Sequence, residues 1–444
     1  ITNIYESMQD QKTAVSDITQ LSFFMPKIRN IFHQWRIKPS RLEKIKRIMK
    51  WRAFEMKRLL STLLIGIMLL TFAPSAFAKQ DGKRTSELAH EAKSAVLIER
   101  DTGKVLYNKN SNERLAPASM TKIMTMLLIM EALDKGKIKM SDKVRTSEHA
   151  ASMGGSQIFL EPGEEMTVKE MLKGIAIASG NDASVAMAEF ISGSEEEFVK
   201  KMNKKAKELG LKNTSFKNPT GLTEEGHYSS AYDMAIMAKE LLKYESITKF
   251  TGTYEDYLRE NTDKKFWLVN TNRLIKFYPG VDGVKTGYTG EAKYCLTASA
   301  KKGNMRAIAV VFGASTPKER NAQVTKMLDF AFSQYETHPL YKRNQTVAKV
   351  KVKKGKQKFI ELTTSEPISI LTKKGEDMND VKKEIKMKDN ISAPIQKGQE
   401  LGTLVLKKDG EVLAESPVAA KEDMKKAGFI TFLKRTMGDW TKFK

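Results

Sequence analysis

Apolar and polar residues alternate along "KSAVLIERDTGKVLYNKN" (93–110), on both sides of Asp101-Thr102-Gly103. A period of two around a Gly-containing turn predicts a β-hairpin. The next apolar run, "LAPASMTKIMTMLLIMEAL" (115–133), has the density of a buried helix, yet Lys122 sits inside it, three residues after Ser119. Residues 168–244 then carry a 3.6-residue period, in "VKEMLKGIAIASGNDASVAMAEFI" and "SAYDMAIMAKELLKY", which predicts helices. Strand patterns return in "GVDGVKTGYT", "YCLTASAKK" and "MRAIAVVFGA", and a last helix is expected over 318–335. Strands at both ends with helices between them imply an α/β or α+β domain whose sheet joins distant segments.

The pattern changes after His338-Pro339. Short alternating segments with Gly and Asp-Gly turns run through "TVAKVKVKKGKQKFIELTTSEPISILTKKG" and "GQELGTLVLKKDGEVLAESPVAA". They predict a small all-β domain over 340–421. In the tail, 422–444, Ile430, Leu433, Met437 and Trp440 recur at helical spacing. Phe429, Phe432 and Phe443 flank them, and Lys425, Lys426, Lys434, Arg435, Lys442 and Lys444 form the polar side. A basic amphipathic helix with aromatic residues suits a bilayer interface. Each cation gains about 1 kcal/mol beside an anionic leaflet.

At the other end, "MKRLLSTLLIGIMLLTFAPSAFAKQ" starts at Met56. Lys57 and Arg58 make a positive region, 59–72 an apolar one, and Ala76-Phe77-Ala78 a small-x-small cleavage pattern. The apolar run is shorter than the roughly 20 residues of a membrane span. Residues 56–78 are therefore expected to be a signal peptide, with the mature chain starting at Lys79. Residues 1–55 are basic and polar and precede a good start methionine; they are expected to be upstream sequence or a removed leader. The catalytic domain is then expected over 79–339.

Composition adds a direction. The chain has 444 residues, 41% of them hydrophobic, and a formal charge of +23. Such an excess favours an anionic partner. No zinc spacing, basic zipper or aromatic RNA-binding signature accompanies it, so nucleic acid is not the expected one. The one cysteine, Cys295, allows no intrachain disulfide and reads as a small buried hydrophobe. The five histidines, His33, His90, His149, His227 and His338, are scattered and form no zinc motif. They read as ordinary surface or core residues.

The lysine of the apolar helix has a chemical reading. Positions i and i+3 share a helix face. Pro117 suits a helix start, which places Ser119 in the first turn, where orphan N–H groups favour negative charge. A serine hydroxyl attacks a carbonyl only with an adjacent base. Lys122 serves as one only when neutral, and burial or nearby cations produce that state. Ser-x-x-Lys alone arises about once by chance in a chain this long. Here it is followed by Ser179-Gly180-Asn181 in a helical stretch and Lys285-Thr286-Gly287 on a predicted strand. Ser179 can pass a proton between the two lysines or to a leaving amine, and the Asn181 amide can bind a substrate amide. Lys285 and Thr286 can attract a carboxylate and help keep Lys122 neutral. Gly287 lets a substrate backbone lie along the strand edge, and the N–H of Tyr288 is the natural second oxyanion donor beside that of Ser119.

In order and spacing, Ser-x-x-Lys, Ser-x-Asn and Lys-Thr-Gly are the signature of penicillin-interacting serine enzymes. From about Lys79 onward the chain resembles the D-alanyl-D-alanine carboxypeptidases, the low-molecular-mass penicillin-binding proteins. The tail and "NPTGLTEEGHYSSAYDMA" (218–235) look like the sporulation-associated Gram-positive members. The resemblance implies a serine β-lactamase/transpeptidase-like catalytic domain, then a small β domain and an anchor at the outer face of the cytoplasmic membrane. It makes Ser119 the nucleophile, Lys122 the base, Ser179 and Asn181 the second-motif pair and Lys285 the third-motif lysine. It implies removal of the terminal D-alanine from peptidoglycan stem pentapeptides, acylation of Ser119 by β-lactams, and no metal or cofactor. Arg320 lies where the family often has an arginine on the terminal carboxylate. Asp233 matches a family acid that orders the site, or is simply a helix-start residue. The alternatives are a β-lactamase, a transpeptidase and a non-catalytic wall-binding protein. Against the first, no Glu-x-x-x-Asn lies between Asn181 and Lys285: Glu224 and Glu225 are followed by Tyr228.

Overall fold

A computed structural model describes residues 88–428, which belong to one compact unit. The chain enters through β1 (Ser94–Glu99) and β2 (Val105–Lys109), then a 3-10 turn (Ala118–Thr121) that runs into α1 (Lys122–Asp134). A small hairpin of β3 (Lys143–Arg145) and β4 (Glu165–Thr167) precedes α2 (Val168–Ala176), α3 (Asn181–Ser192), α4 (Glu195–Glu208) and α5 (Ala231–Leu241). A second hairpin, β5 (Glu255–Leu258) and β6 (Phe266–Val269), leads to β7 (Val281–Thr289), β8 (Lys293–Lys302), β9 (Met305–Ala314) and α6 (Pro317–Gln334).

β1 and β2 join β7–β9 in one antiparallel sheet of order β2-β1-β9-β8-β7. The distant-segment sheet is thus realised, with β7 at an open edge. Helices cover both of its faces. Val96, Ile98, Ile308 and Val310 pack with α1, α2, α3 and α5, while Leu97, Leu296, Val311 and Ala309 pack against Val324, Met327 and Leu328 of α6. For this reason β1 is buried at all six positions, Ser94 and Glu99 included. A sheet covered on both faces calls for a continuous apolar run in its inner strands. Glu99 is accommodated because its carboxylate caps the turn, accepting from the N–H groups of Asp101 (3.1 Å) and Thr102 (2.7 Å). α1 is likewise buried from Lys122 through Met130, as befits a helix apolar all round.

Two expectations about helices change. The period over "VKEMLKGIAIASGNDASVAMAEFI" is not one helix: it stops at Ala176 and restarts at Asn181. Ser179 between them has φ 64°, a left-handed conformation no helix interior accepts. The last helix falls one residue earlier than expected, because Thr316 caps it by accepting from Glu319 N and Pro317 takes the first position.

Strand β10 (Tyr335–Tyr341) runs through His338-Pro339 and pairs antiparallel with β13 (Ile368–Lys373). The other strands, β11 (Thr346–Lys351), β12 (Phe359–Thr364), β14 (Lys382–Met387), β15 (Glu400–Lys408) and β16 (Glu411–Ala420), form a sheet of order β11-β12-β16-β15-β14. Its core contains Ile360, Leu362, Ile370, Leu404 and Val418. The helix expected over 422–444 does not begin at 422. Residues 422–428 contain no helix, with Met424 bridged to Ile395 and Lys426 to Gly355. Met424 is buried in the β-domain core, and that packing outweighs any helical preference. The rest of that segment, and the expected signal peptide and leader, lie outside the described residues. Among the described residues no helix is long and apolar enough to cross a membrane.

Candidate active site

Ser119 projects from the 3-10 turn that Pro117 precedes and α1 follows. Ala118 holds φ 47°, so the chain bends sharply just before the serine. Two glycines make room for that bend. A Cβ at Gly287 would lie 2.7 Å from the Pro117 carbonyl oxygen, and one at Gly221 only 1.8 Å from that of Ala118. Gly287 therefore serves the serine turn itself, beyond the room it leaves for a substrate strand.

Lys122 begins α1 and is fully buried. Its Nζ is 3.1 Å from Ser119 Oγ, 2.6 Å from Asn181 Oδ1 and 2.8 Å from the Thr220 carbonyl oxygen. Burial holds its pKa well below the usual lysine range, Lys285 lowers it further, and Asp182 opposes both. A neutral amine has two N–H bonds and one lone pair. The two carbonyl oxygens take the N–H bonds, which leaves the lone pair for the Ser119 hydroxyl.

The second motif lies in the break between α2 and α3. Asn181 is the first residue of α3. Its Oδ1 accepts from Lys122, and its Nδ2 donates to the Gly154 carbonyl at 2.6 Å. The amide expected to face substrate is thus largely engaged in holding Lys122. Ser179 is buried, and its Oγ has no hydrogen-bond partner among the described residues.

The third motif lies on β7, as expected. Lys285 is buried, and its Nζ donates to the Thr286 carbonyl at 3.2 Å. Burial, with the Arg320 guanidinium nearby, pushes its pKa down to about 7. Thr286 Oγ1 is 2.6 Å from Thr271 Oγ1. Arg320, in the first turns of α6, is buried and held by Asn321 Oδ1, which accepts from its Nε and Nη2 at 3.0 and 2.9 Å. Burial lowers Arg320 to about 10. Ser119, Ser179, Thr286, Gly287, Tyr288 and Arg320 line one groove of about 900 Å³ along the β7 edge. Lys122, Asn181 and Lys285 are buried alongside it. Asp233 does not join them. It is a buried helix-start residue of α5 that accepts from Asn213 N (2.8 Å) and Thr214 Oγ1 (2.7 Å).

Three supporting residues carry no motif signal. Asp182 is buried and accepts from the N–H groups of Ile158 (3.0 and 3.1 Å) and Leu160 (3.1 Å), tying that loop to α3. Asn218 Oδ1 accepts from the N–H groups of Thr220 (3.2 Å) and Gly221 (2.8 Å), and so aims the Thr220 carbonyl at Lys122. His227, read in the sequence as an ordinary residue, accepts at Nδ1 from Lys217 N at 3.2 Å. Its Nε2 therefore bears the proton and donates to Thr121 Oγ1, 2.8 Å away and two residues from Ser119. The "NPTGL" turn (218–222) was the one available signal, since Pro-x-Gly marks a tight loop.

Comparison with known proteins bears on the same segments. Residues 81–316 match the family model described as D-alanyl-D-alanine carboxypeptidase, and 335–426 match that of the penicillin-binding protein 5 C-terminal domain. The chain is 34% identical over 385 residues to the Escherichia coli D-alanyl-D-alanine carboxypeptidase DacC, covering 83% of this chain and 94% of that protein. It is 34% identical over 369 residues to DacA of Haemophilus influenzae, covering 82% and 92%. Among solved structures, penicillin-binding protein 5 of Haemophilus influenzae aligns with a TM-score of 0.60 at 33% identity, over 76% of this chain and 98% of that one. A peptidoglycan synthesis regulatory factor (PBP3) of Streptococcus pneumoniae aligns with a TM-score of 0.57 at 26% identity, over 76% and 99%.

Proposed function

Because the chain belongs to the D-alanyl-D-alanine carboxypeptidase family, we propose that it removes the terminal D-alanine of peptidoglycan stem pentapeptides through an acyl-enzyme on Ser119. The observation that carries this reading is the buried Lys122 amine 3.1 Å from Ser119 Oγ, with two carbonyl acceptors already on its N–H bonds. Each step then has a residue. The terminal carboxylate sits against Lys285, Thr286 and Arg320. Lys122 takes the Ser119 proton as Oγ bonds to the penultimate carbonyl carbon. The N–H groups of Ser119 and Tyr288 hold the developing oxyanion. Lys122 passes that proton through the unpartnered Ser179 hydroxyl to the leaving nitrogen as the C–N bond breaks and D-alanine departs, which leaves Lys122 neutral again. Water then attacks the ester as Lys122 takes one of its protons, and Lys122 returns that proton to Ser119 Oγ as the ester C–O bond breaks.

β-Lactams present a cyclic amide carbonyl in the place of the scissile one and acylate the same serine. No observation favours a β-lactamase. Glu224 is engaged with Asn218 Nδ2 at 3.0 Å and lines a different cavity. Export by residues 56–78 and peripheral attachment to the outer face of the cytoplasmic membrane by the basic apolar stripe within 429–444 complete the proposal. The likeness of residues 218–235 to sporulation-associated members extends it to spore wall synthesis.

The test is incubation of the mature chain with a stem pentapeptide, with free D-alanine measured beside a Ser119→Ala control. Release by the wild type alone supports the reading. No release, or equal release by the control, overturns it.

A further inference from the structure

The β5–β6 hairpin carries an exposed aromatic face that the reaction above does not use. Tyr257 and Trp267 are cross-strand partners, 39% and 55% exposed, and Val269 lies two residues further along the same face. Lys265 Nζ is 4.1 Å from the Tyr257 ring centroid. The opposite face is anchored. Leu258 and Leu268 are buried, and the Phe266 ring meets that of Phe159 edge-on at 5.5 Å. Arg259 donates twice to Glu164, at 2.6 and 2.9 Å, and once to the Ile158 carbonyl at 3.1 Å. Lys173 pairs with Asp256 at 2.7 Å. The platform is therefore held rigid before anything binds, which lowers the ordering cost of a ligand.

The platform continues the active-site groove. Val269, Asn270 and Thr271 line that groove, and Thr271 meets Thr286 of the third motif. Trp267 is four residues from Thr271, at most about 13 Å of fully extended chain. A pentapeptide in the groove spans at most about 17 Å, and its far end is joined to an N-acetylated amino sugar. Pyranose rings present apolar C–H faces that stack on aromatic rings, whose polar atoms stay wet. We propose that Tyr257 and Trp267 bind the glycan strand to which the stem peptide is attached, a reading that rests on the carboxypeptidase function above. Three side chains offer far less than the roughly 800 Å² per partner of a stable protein interface, which argues against a second copy as occupant.

The test compares kcat/KM on a free pentapeptide with that on the same pentapeptide joined to its disaccharide. The wild type is expected to prefer the disaccharide form about tenfold, the worth of one good stacking contact. In Trp267→Ala that ratio falls to near one, and Trp267→Phe retains most of it. A ratio identical in wild type and Trp267→Ala overturns the inference, as does an equal loss on both substrates, which marks a structural role. Binding to anionic vesicles that disappears in Trp267→Ala, or dimerisation that does, assigns the face to another occupant and also overturns it. Cleavage of the free pentapeptide with an unchanged ratio sinks the glycan site alone. Failure to cleave either substrate sinks the carboxypeptidase reading, and the glycan site with it.

Discussion

Removing water from Lys122 disfavours its ammonium form, and the neighbouring cation at Lys285 does so again. Both lysines must nevertheless play opposite parts, Lys122 neutral and Lys285 charged. The expected kcat/KM therefore rises with pH as Lys122 loses its proton and falls as Lys285, near 7 in the free enzyme, loses its own. A bound carboxylate holds the Lys285 proton, so the alkaline limb of kcat lies at higher pH than that of kcat/KM. Coincident limbs would contradict the assignment. Lys122→Arg puts a permanent cation where a neutral base is needed, so kcat/KM should fall about a thousandfold, within the usual range for a lost general base. His227 is depressed to about 4 by burial, against 6.5 in an unfolded chain. Between these values the unfolded state binds the extra proton, so stability is fully present above 6.5 and lost as pH falls toward 4. The loss is on the order of 3 kcal/mol. Denaturant unfolding at pH 7 and pH 4 checks it, and His227→Gln should flatten the difference.

The serine turn, β7 and the 218–222 loop meet so closely that a single methyl group decides their fit. Gly221→Ala places a Cβ against the Ala118 carbonyl at φ 85°. Overpacking of this kind costs about 1–3 kcal/mol, so the thermal midpoint should drop. Gly136→Ala also sits at positive φ, but with nothing within 4 Å, and should drop less. Equal losses would show that backbone strain, and not the approach to Ala118, sets the cost. The chemistry-bearing elements were largely legible. The Ser119 helix start, the Lys285 strand and the capped α6 each follow from local residue choice. The second-motif break was not, because Ser179 and Gly180 leave the apolar period intact while φ at one residue ends the helix. The full burial of β1 was not read either, although the unbroken apolar run Ala95-Val96-Leu97-Ile98 is the pattern of a strand covered on both faces. The supports at Asp182, Asn218 and His227 act through hydrogen bonds between segments far apart in sequence, which no local pattern encodes.

Across the whole molecule the β-rich C-terminal part is tied to the catalytic part. Leu371 packs into the α6-side core, Ser369 Oγ donates to Asp101 at 2.9 Å, and Lys243 pairs with Glu366. Residues 422–428 belong to this body through Met424. A chain ending at Gly428 should keep its stability and lose sedimentation with anionic membranes. A chain ending at Lys421 should also unfold more readily, since it loses a buried methionine worth about 2–5 kcal/mol. Continued sedimentation of the first truncation would remove the anchor from the account. The most direct test of the central claim is the intact mass of the chain after incubation with a penicillin, followed by mapping of the modified peptide. One adduct at Ser119, formed at a rate that climbs as Lys122 deprotonates and absent from Ser119→Ala, is the predicted result. No adduct, or one on another residue, would contradict it.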